Sequence, residues 1–406
     1  MLIDKLLDYV KYDTQSREES ATSPSTPGQW DLAYHLKDQL NELGLEKVMV
    51  DDHCFVYGYL PGDEEYLKIG LIAHMDTSEQ APGKDVKARI IENYDGNDIK
   101  LNDELYTTVE RFPILKDYVG KTLVVTDGTT LLGADDKAGV AAIMAVLETL
   151  INNPEIKHGP IWVCFSPDEE IGRGMEGFNY ELFDVDFAYT LDGDKPQNFE
   201  YECFNAASAI VNITGISVHP GSAKDKMVNA LQVAHEFHGM LDNDARAEKT
   251  QGYEGFNLLM GLTGEVAKAR MQYIIRNHDL SLLEKQKHDF ELIRDALNEK
   301  YGYEAVSVVL KDSYRNMKEK FIGHEGPIDL IKDAMKQTGL DYTEVAIRGG
   351  TDGATLTMNG LLCPNIGTGG QNFHGVHEFW CMEEGQQVVN LVLKALSLAK
   401  KGAYKA

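Results

Sequence analysis

Four short stretches of this sequence end in residues able to hold a metal or move a proton. IGLIAHMD closes on His74 and Asp76, IWVCFSPDEE on Asp168, Glu169 and Glu170, and FAYTLDGD on Asp192 and Asp194, while GADDKAG sets Asp135 and Asp136 just before the apolar run VAAIMAVLETLI. Carboxylates and imidazoles ligate divalent cations and serve as general bases in hydrolysis. His74 and Asp76 are two residues apart, so in extended chain they project to the same side. The carboxylate can then accept the second imidazole N–H, which fixes the tautomer of a metal-bound histidine. Glu169 and Glu170 are adjacent and point opposite ways in strand-like backbone. One can ligate while the other stands free to take a proton from water. Near the far end, TGGQNFHGVHEF offers His374 between glycines and His377 three residues on, and spacing does not choose between them. Each motif also has an ordinary reading on its own: a helix cap for the Asp pair, a solvated loop for the Glu pair, a loop histidine in solvent.

The elements that must position these residues can be read from the apolar rhythm. The first half alternates a helix near 29–44, strands in CFVYGYL and YLKIGLIAHMD, a helix near 137–150, and strands in IWVCFS and FAYTL. That alternation predicts an α/β domain on a mostly parallel sheet, whose ligand sites gather at the carboxyl ends of the strands. Between 205 and 316 the order becomes strand, helix, strand, strand, helix, strand, the ferredoxin-like βαββαβ pattern, and an inserted lid domain is expected there. The first domain is then discontinuous, 1–204 and 317–406, a division that suits 406 residues.

Charge and composition exclude several classes of partner. With 39 basic and 65 acidic side chains the net charge is −26, which repels nucleic-acid phosphates and anionic membranes. No apolar run approaches a bilayer span, and the amino end, MLIDKLLDYVKYDTQ, reads as an amphipathic helix without the basic start of a signal peptide. Five scattered cysteines without a CxxC pair read as buried thiols, and a cytoplasmic location is expected.

Taken in order, HMD, GADDKAG, PDEEIG, LDGD, VHPG, RGGTDGA and GGQNFHGVHEF resemble the dizinc exopeptidase family that also holds aminoacylases and carboxypeptidase G. The likeness runs nearly end to end, and NFHGVHEF with QGYEGF points to its tripeptide-aminopeptidase branch. The resemblance implies that His74, Asp135, Glu170, Asp192 and His374 ligate two zinc ions per subunit, with cobalt or manganese as substitutes. Asp135 bridges, Asp76 is the catalytic aspartate behind His74, and Glu169 is the general base. Five ligands with one shared give three per ion, the usual number at a catalytic zinc. The resemblance also implies a cis peptide between Asp135 and Asp136, and Asp136 itself reads as a cap or backbone-fixing residue at the helix start. The expected reaction is hydrolysis of the N-terminal peptide bond of tripeptides. His219 in VHPG is expected to help stabilise the oxyanion, Arg276 in QYIIRN to hold the peptide carboxylate by its planar fork, and Arg348 beside GGTDG to contact substrate. An aminoacylase-like amidohydrolase on N-acylated amino acids would share every ligand, and so would a non-catalytic metal-holding protein. Open strand edges of the lid are where a homodimer would form.

Overall fold

The computed structural model describes residues 1–405 and divides into two compact units. One is made of Met1–Tyr201, Lys320–Val345 and Thr351–Ala406, the other of Glu202–Glu319 and Ala346–Gly350. The short segment Ala346–Gly350, which the sequence reading left with the first domain, belongs with the second.

The main sheet of the first unit has eight strands in the order Glu46–Val50, Val56–Leu60, Ile161–Ser166, Ile69–His74, Phe187–Leu191, Asn365–Ile366, Asn198–Cys203, Thr343–Ile347. Ile161–Ser166, Ile69–His74, Phe187–Leu191 and Asn365–Ile366 run parallel at its centre. IGLIAH and IWVCFS are buried along their whole length, which is why they read as unbroken apolar runs rather than alternating ones. Their register pairs His74 with Ser166, so both strands end level and the polar residues that follow start from one edge. Phe187–Leu191 pairs Thr190 with Ile72, which brings Asp192 to that same edge.

The helix Ala134–Asn152 lies on this sheet, buried on nearly every side. Its Ala- and Gly-rich first turns allow close approach: a Cβ on Gly139 would fall 1.9 Å from the Leu191 carbonyl oxygen. Val140, Ile143, Met144, Val146 and Leu147 are fully buried, worth about 1.5–3 kcal/mol for each large side chain. Asp135 and Asp136 have non-helical dihedrals and are joined by a cis bond, so the regular turns begin after them.

A second sheet in this unit, not foreseen from sequence, orders Gly370–Gln371, Phe379–Cys381, Leu123–Val125 and Arg89–Ile91. Its core includes Leu115, Tyr118, Leu123 and Phe379. It anchors the chain on both sides of the loop that carries His374.

The second unit is an antiparallel sheet ordered Phe256–Gly264, Lys268–Asn277, Asn205–Thr214, Val306–Tyr314, with helices Ala230–Met240 and Leu280–Tyr301. This is the ferredoxin-like order expected of the βαββαβ pattern. Along KARMQYIIRN, Ala269, Met271, Tyr273 and Ile275 point inward to pack with Phe237 and Phe290, and Arg276 takes the opposite face.

Candidate metal centre

The three strand ends and the helix start bring their polar residues together. His74 Nε2 lies 3.0 Å from Asp135 Oδ1, and His374 Nε2 lies 3.1 Å from Asp135 Oδ2 and 2.9 Å from Glu170 Oε2. Two sets result, His74 with Asp135 and Asp192, and Asp135 with Glu170 and His374; within each, the donor atoms are all within 4.8 Å of one another. Asp135 belongs to both. Each set offers three oxygen or nitrogen donors, the complement of a catalytic zinc. Glu170 Oε1 is buried and has no hydrogen-bond partner among the described residues. A buried orphan acceptor is costly, and a cation at this place would satisfy it. The residues therefore fit a pair of divalent cations.

The electrostatics point the same way. Burial, reinforced by the Asp135 charge, pushes Asp192 up to about 6 and Glu170 up to about 7. Burial alone would lower His374, but its contacts with Asp135 and Glu170 outweigh that and raise it to about 11. Asp135 feels burial as well, yet hydrogen bonds from His374 and His74 hold it below the usual carboxylate range. So much negative charge in a poorly solvated space is what a bound cation relieves.

Around these donors stand buried carboxylates that accept main-chain N–H groups. Asp76, with no exposed surface, accepts from Glu169 N at 2.9 Å and Glu170 N at 3.2 Å. The imidazole Nδ1 of His74 donates to the Asp76 carbonyl at 3.0 Å, which leaves Nε2 facing Asp135. Asp136 accepts from Gly139 N at 3.1 Å, the cap anticipated from sequence, and from His74 N at 3.2 Å. Glu378, 2% exposed, accepts from Leu132 N and Gly133 N at 2.8 Å each and from Asp135 N at 3.1 Å. Sequence reasoning gave Glu378 no role; its one signal was a charge set directly before the apolar triplet FWC. Asp352 of RGGTDGA, also missed, is buried and accepts from Ser166 Oγ at 2.8 Å, tethering the end of IWVCFS. Asp168 has a left-handed backbone and accepts from Ser25 and Gln29, fixing the turn into Glu169.

The Glu169 carboxylate makes no hydrogen bond among the described residues and lies 4.0 Å from His74 Nε2, and burial raises its pKa well above the ordinary value. His377 faces elsewhere: its Nδ1 is 2.9 Å from Thr107 Oγ1 and its ring packs on Phe112. His219, Arg276 and Arg348 belong to the second unit. His219 Nδ1 accepts from Gly221 N. Arg276 donates through Nη1 to the Ala207 and Ile275 carbonyls, with its guanidinium over the Tyr314 ring. Arg348 commits both terminal nitrogens to the loop of QGYEGF, at Gly252 O, Glu254 O and Thr250 Oγ1, and lies over Phe204 and Phe256.

The sequence profile of Peptidase family M20/M25/M40 matches residues 125–397, a span that takes in Asp135, Glu169, Glu170, Asp192 and His374. The chain belongs to this family. Within the M20/M25/M40 peptidases it is similar to Peptidase T of Alkaliphilus oremlandii, 46% identical over 406 residues that cover 98% of this chain and 99% of that one. Two solved structures share its fold. Aminopeptidase PepT from Bacillus cereus superposes with a TM-score of 0.77 at 21% identity, and a tripeptidase from Staphylococcus aureus with 0.78 at 22%; each match covers 98% of this chain and 97% of the other. As a member of the M20/M25/M40 family the chain is a peptidase.

Proposed function

We propose that this peptidase removes the amino-terminal residue of tripeptides, using two zinc ions held by His74, Asp135 and Asp192 and by Asp135, Glu170 and His374. The observation that carries the reading is Asp135: one carboxylate common to two three-donor sets, with Glu169 beside them unbonded. Cations bound there would supply Lewis acidity, polarising the scissile carbonyl and lowering the pKa of water. Glu169 takes a proton from the attacking water as the water oxygen bonds to the carbonyl carbon. It then returns that proton to the amine nitrogen as the C–N bond breaks. Asp76 holds Glu169 and Glu170 in place through their main-chain N–H groups and fixes the His74 tautomer.

For the far end of the substrate, Arg276 is the proposed partner of the free carboxylate. Among the described residues only its Nη1 has hydrogen-bond partners, so Nε and Nη2 are available for a forked contact. Arg348 uses its donors on the 250–254 loop, which favours shaping the substrate side over touching substrate. His219, exposed and held by Gly221, is the proposed oxyanion donor. Five buried free cysteines support a cytoplasmic location, and among the described residues no helix is long and apolar enough to cross a membrane. The outer lid strands Phe256–Gly264 and Val306–Tyr314 are the proposed edges for a homodimer.

The test is chelation followed by zinc add-back, scored on free tripeptides, dipeptides, C-terminally amidated tripeptides and N-acylated amino acids. Activity should vanish, return with zinc and favour free tripeptides. Turnover indifferent to chelation, or a preference for acylated substrates, would overturn the reading.

A further inference from the structure

We infer that Glu378 is a positioning residue, whose carboxylate fixes the Leu132–Asp135 turn so that the Asp135 side chain stands between the two donor sets. The inference rests on the metal-centre reading above and concerns a residue that reading leaves without a part. Glu378 is buried, and both of its oxygens are engaged, Oε2 by Leu132 N and Gly133 N, Oε1 by Asp135 N. Its own position is set from two sides. Its N–H donates to the Gly375 carbonyl in the turn that follows His374, and the next residue, Phe379, pairs with Val125 in the small sheet. One side chain therefore registers the His374 loop against the turn that presents Asp135. Gly133, in the left-handed region at φ 78°, lets consecutive N–H groups of that turn aim at one carboxylate.

Replacement by glutamine separates positioning from simple filling of space. The amide keeps the length and volume but offers one acceptor oxygen where the carboxylate offers two. With that oxygen kept on the paired Leu132 and Gly133 donors, the NH2 group faces the Asp135 N–H, and the displacement falls on Asp135. Because Asp135 belongs to both donor sets, both ions weaken together. A residue serving one set alone would weaken one.

The experiment measures zinc affinity by competition with a chromophoric chelator, for the wild-type chain and for Glu378→Gln, Glu378→Asp and Glu384→Gln. The wild type should bind two ions. Glu378→Gln should bind both about 10–100-fold more weakly, the usual cost of losing a group that orients a metal ligand. Glu378→Asp, shorter but with two acceptor oxygens, should lie nearer the wild type than the full-length amide does. Glu384→Gln is the control: Glu384 is also buried, but its carboxylate serves Tyr118 and Lys121, and its loss should leave zinc affinity unchanged. Unchanged affinity in Glu378→Gln, loss of one ion only, or equal weakening in Glu384→Gln would each overturn the inference while leaving the metal centre standing. A wild-type chain that binds no pair of ions would remove both. If the amide variant does not fold, Glu378→Asp decides: equal weakening of both ions supports the role, and a change in one alone ends it.

Discussion

Removing Asp135 and removing Asp192 should differ in how many ions the chain loses. In the proposed centre Asp135 serves both donor sets and Asp192 only one, so Asp135→Ala leaves two donors in each set, whereas Asp192→Ala leaves two in the first and three in the second. A four-ligand structural zinc site is worth about 10–16 kcal/mol, or about 2.5–4 kcal/mol per ligand if shared evenly. Each lost ligand then weakens an ion by about 10²–10³-fold. Asp192→Ala should keep one ion near its original affinity and lose the other; Asp135→Ala should weaken both by that factor. Metal counted after gel filtration in a buffer set between the two affinities should read two ions for the wild type, one for Asp192→Ala and none for Asp135→Ala. Equal counts in the two variants would refute the shared role of Asp135, whatever the activities turned out to be. Both variants need a melting curve alongside, because His74 and His374 also lose a hydrogen-bonded partner when Asp135 is removed.

Glu169→Gln should retain both ions while turnover falls by about 10²–10⁴-fold, the usual contribution of a general base; wild-type rates would discard that role. Arg276→Ala should raise KM for free tripeptides with little effect on C-terminally amidated ones, and an equal change for both would rule out carboxylate recognition. Gly139→Ala would place a methyl 1.9 Å from the Leu191 carbonyl oxygen, so the helix must shift. A stability loss of about 1–3 kcal/mol together with weaker zinc binding is expected, and calorimetry showing no change would contradict the close packing.

The candidate donors were legible because buried parallel strands read as unbroken apolar runs, and the abrupt charge after each run marks the sheet edge. The choice of His374 over His377 was not legible from spacing. It depends on Thr107 and Phe112, distant in sequence, which take up the His377 ring. The small sheet escaped notice because its strands, such as Leu123–Val125 and Gly370–Gln371, are too short to show alternation. Glu378 illustrates a deeper limit. Its partners are main-chain N–H groups, which every residue but proline carries, so no residue type betrays it. Arg348 stands beside a glycine-rich motif that suggested substrate contact, and its neighbours among the described residues are rings, carbonyls and a hydroxyl of its own unit, distant in sequence.

The two donor sets are not equivalent in the order of synthesis. In the proposed centre the last residue of the first set, Asp192, is made 182 residues before the last of the second, His374. At about 5–20 residues per second that interval is about 9–36 s. On a chain emerging from the ribosome, all three proposed ligands of one cation thus exist well before the last ligand of its companion, and before Glu378 can hold the Asp135 turn.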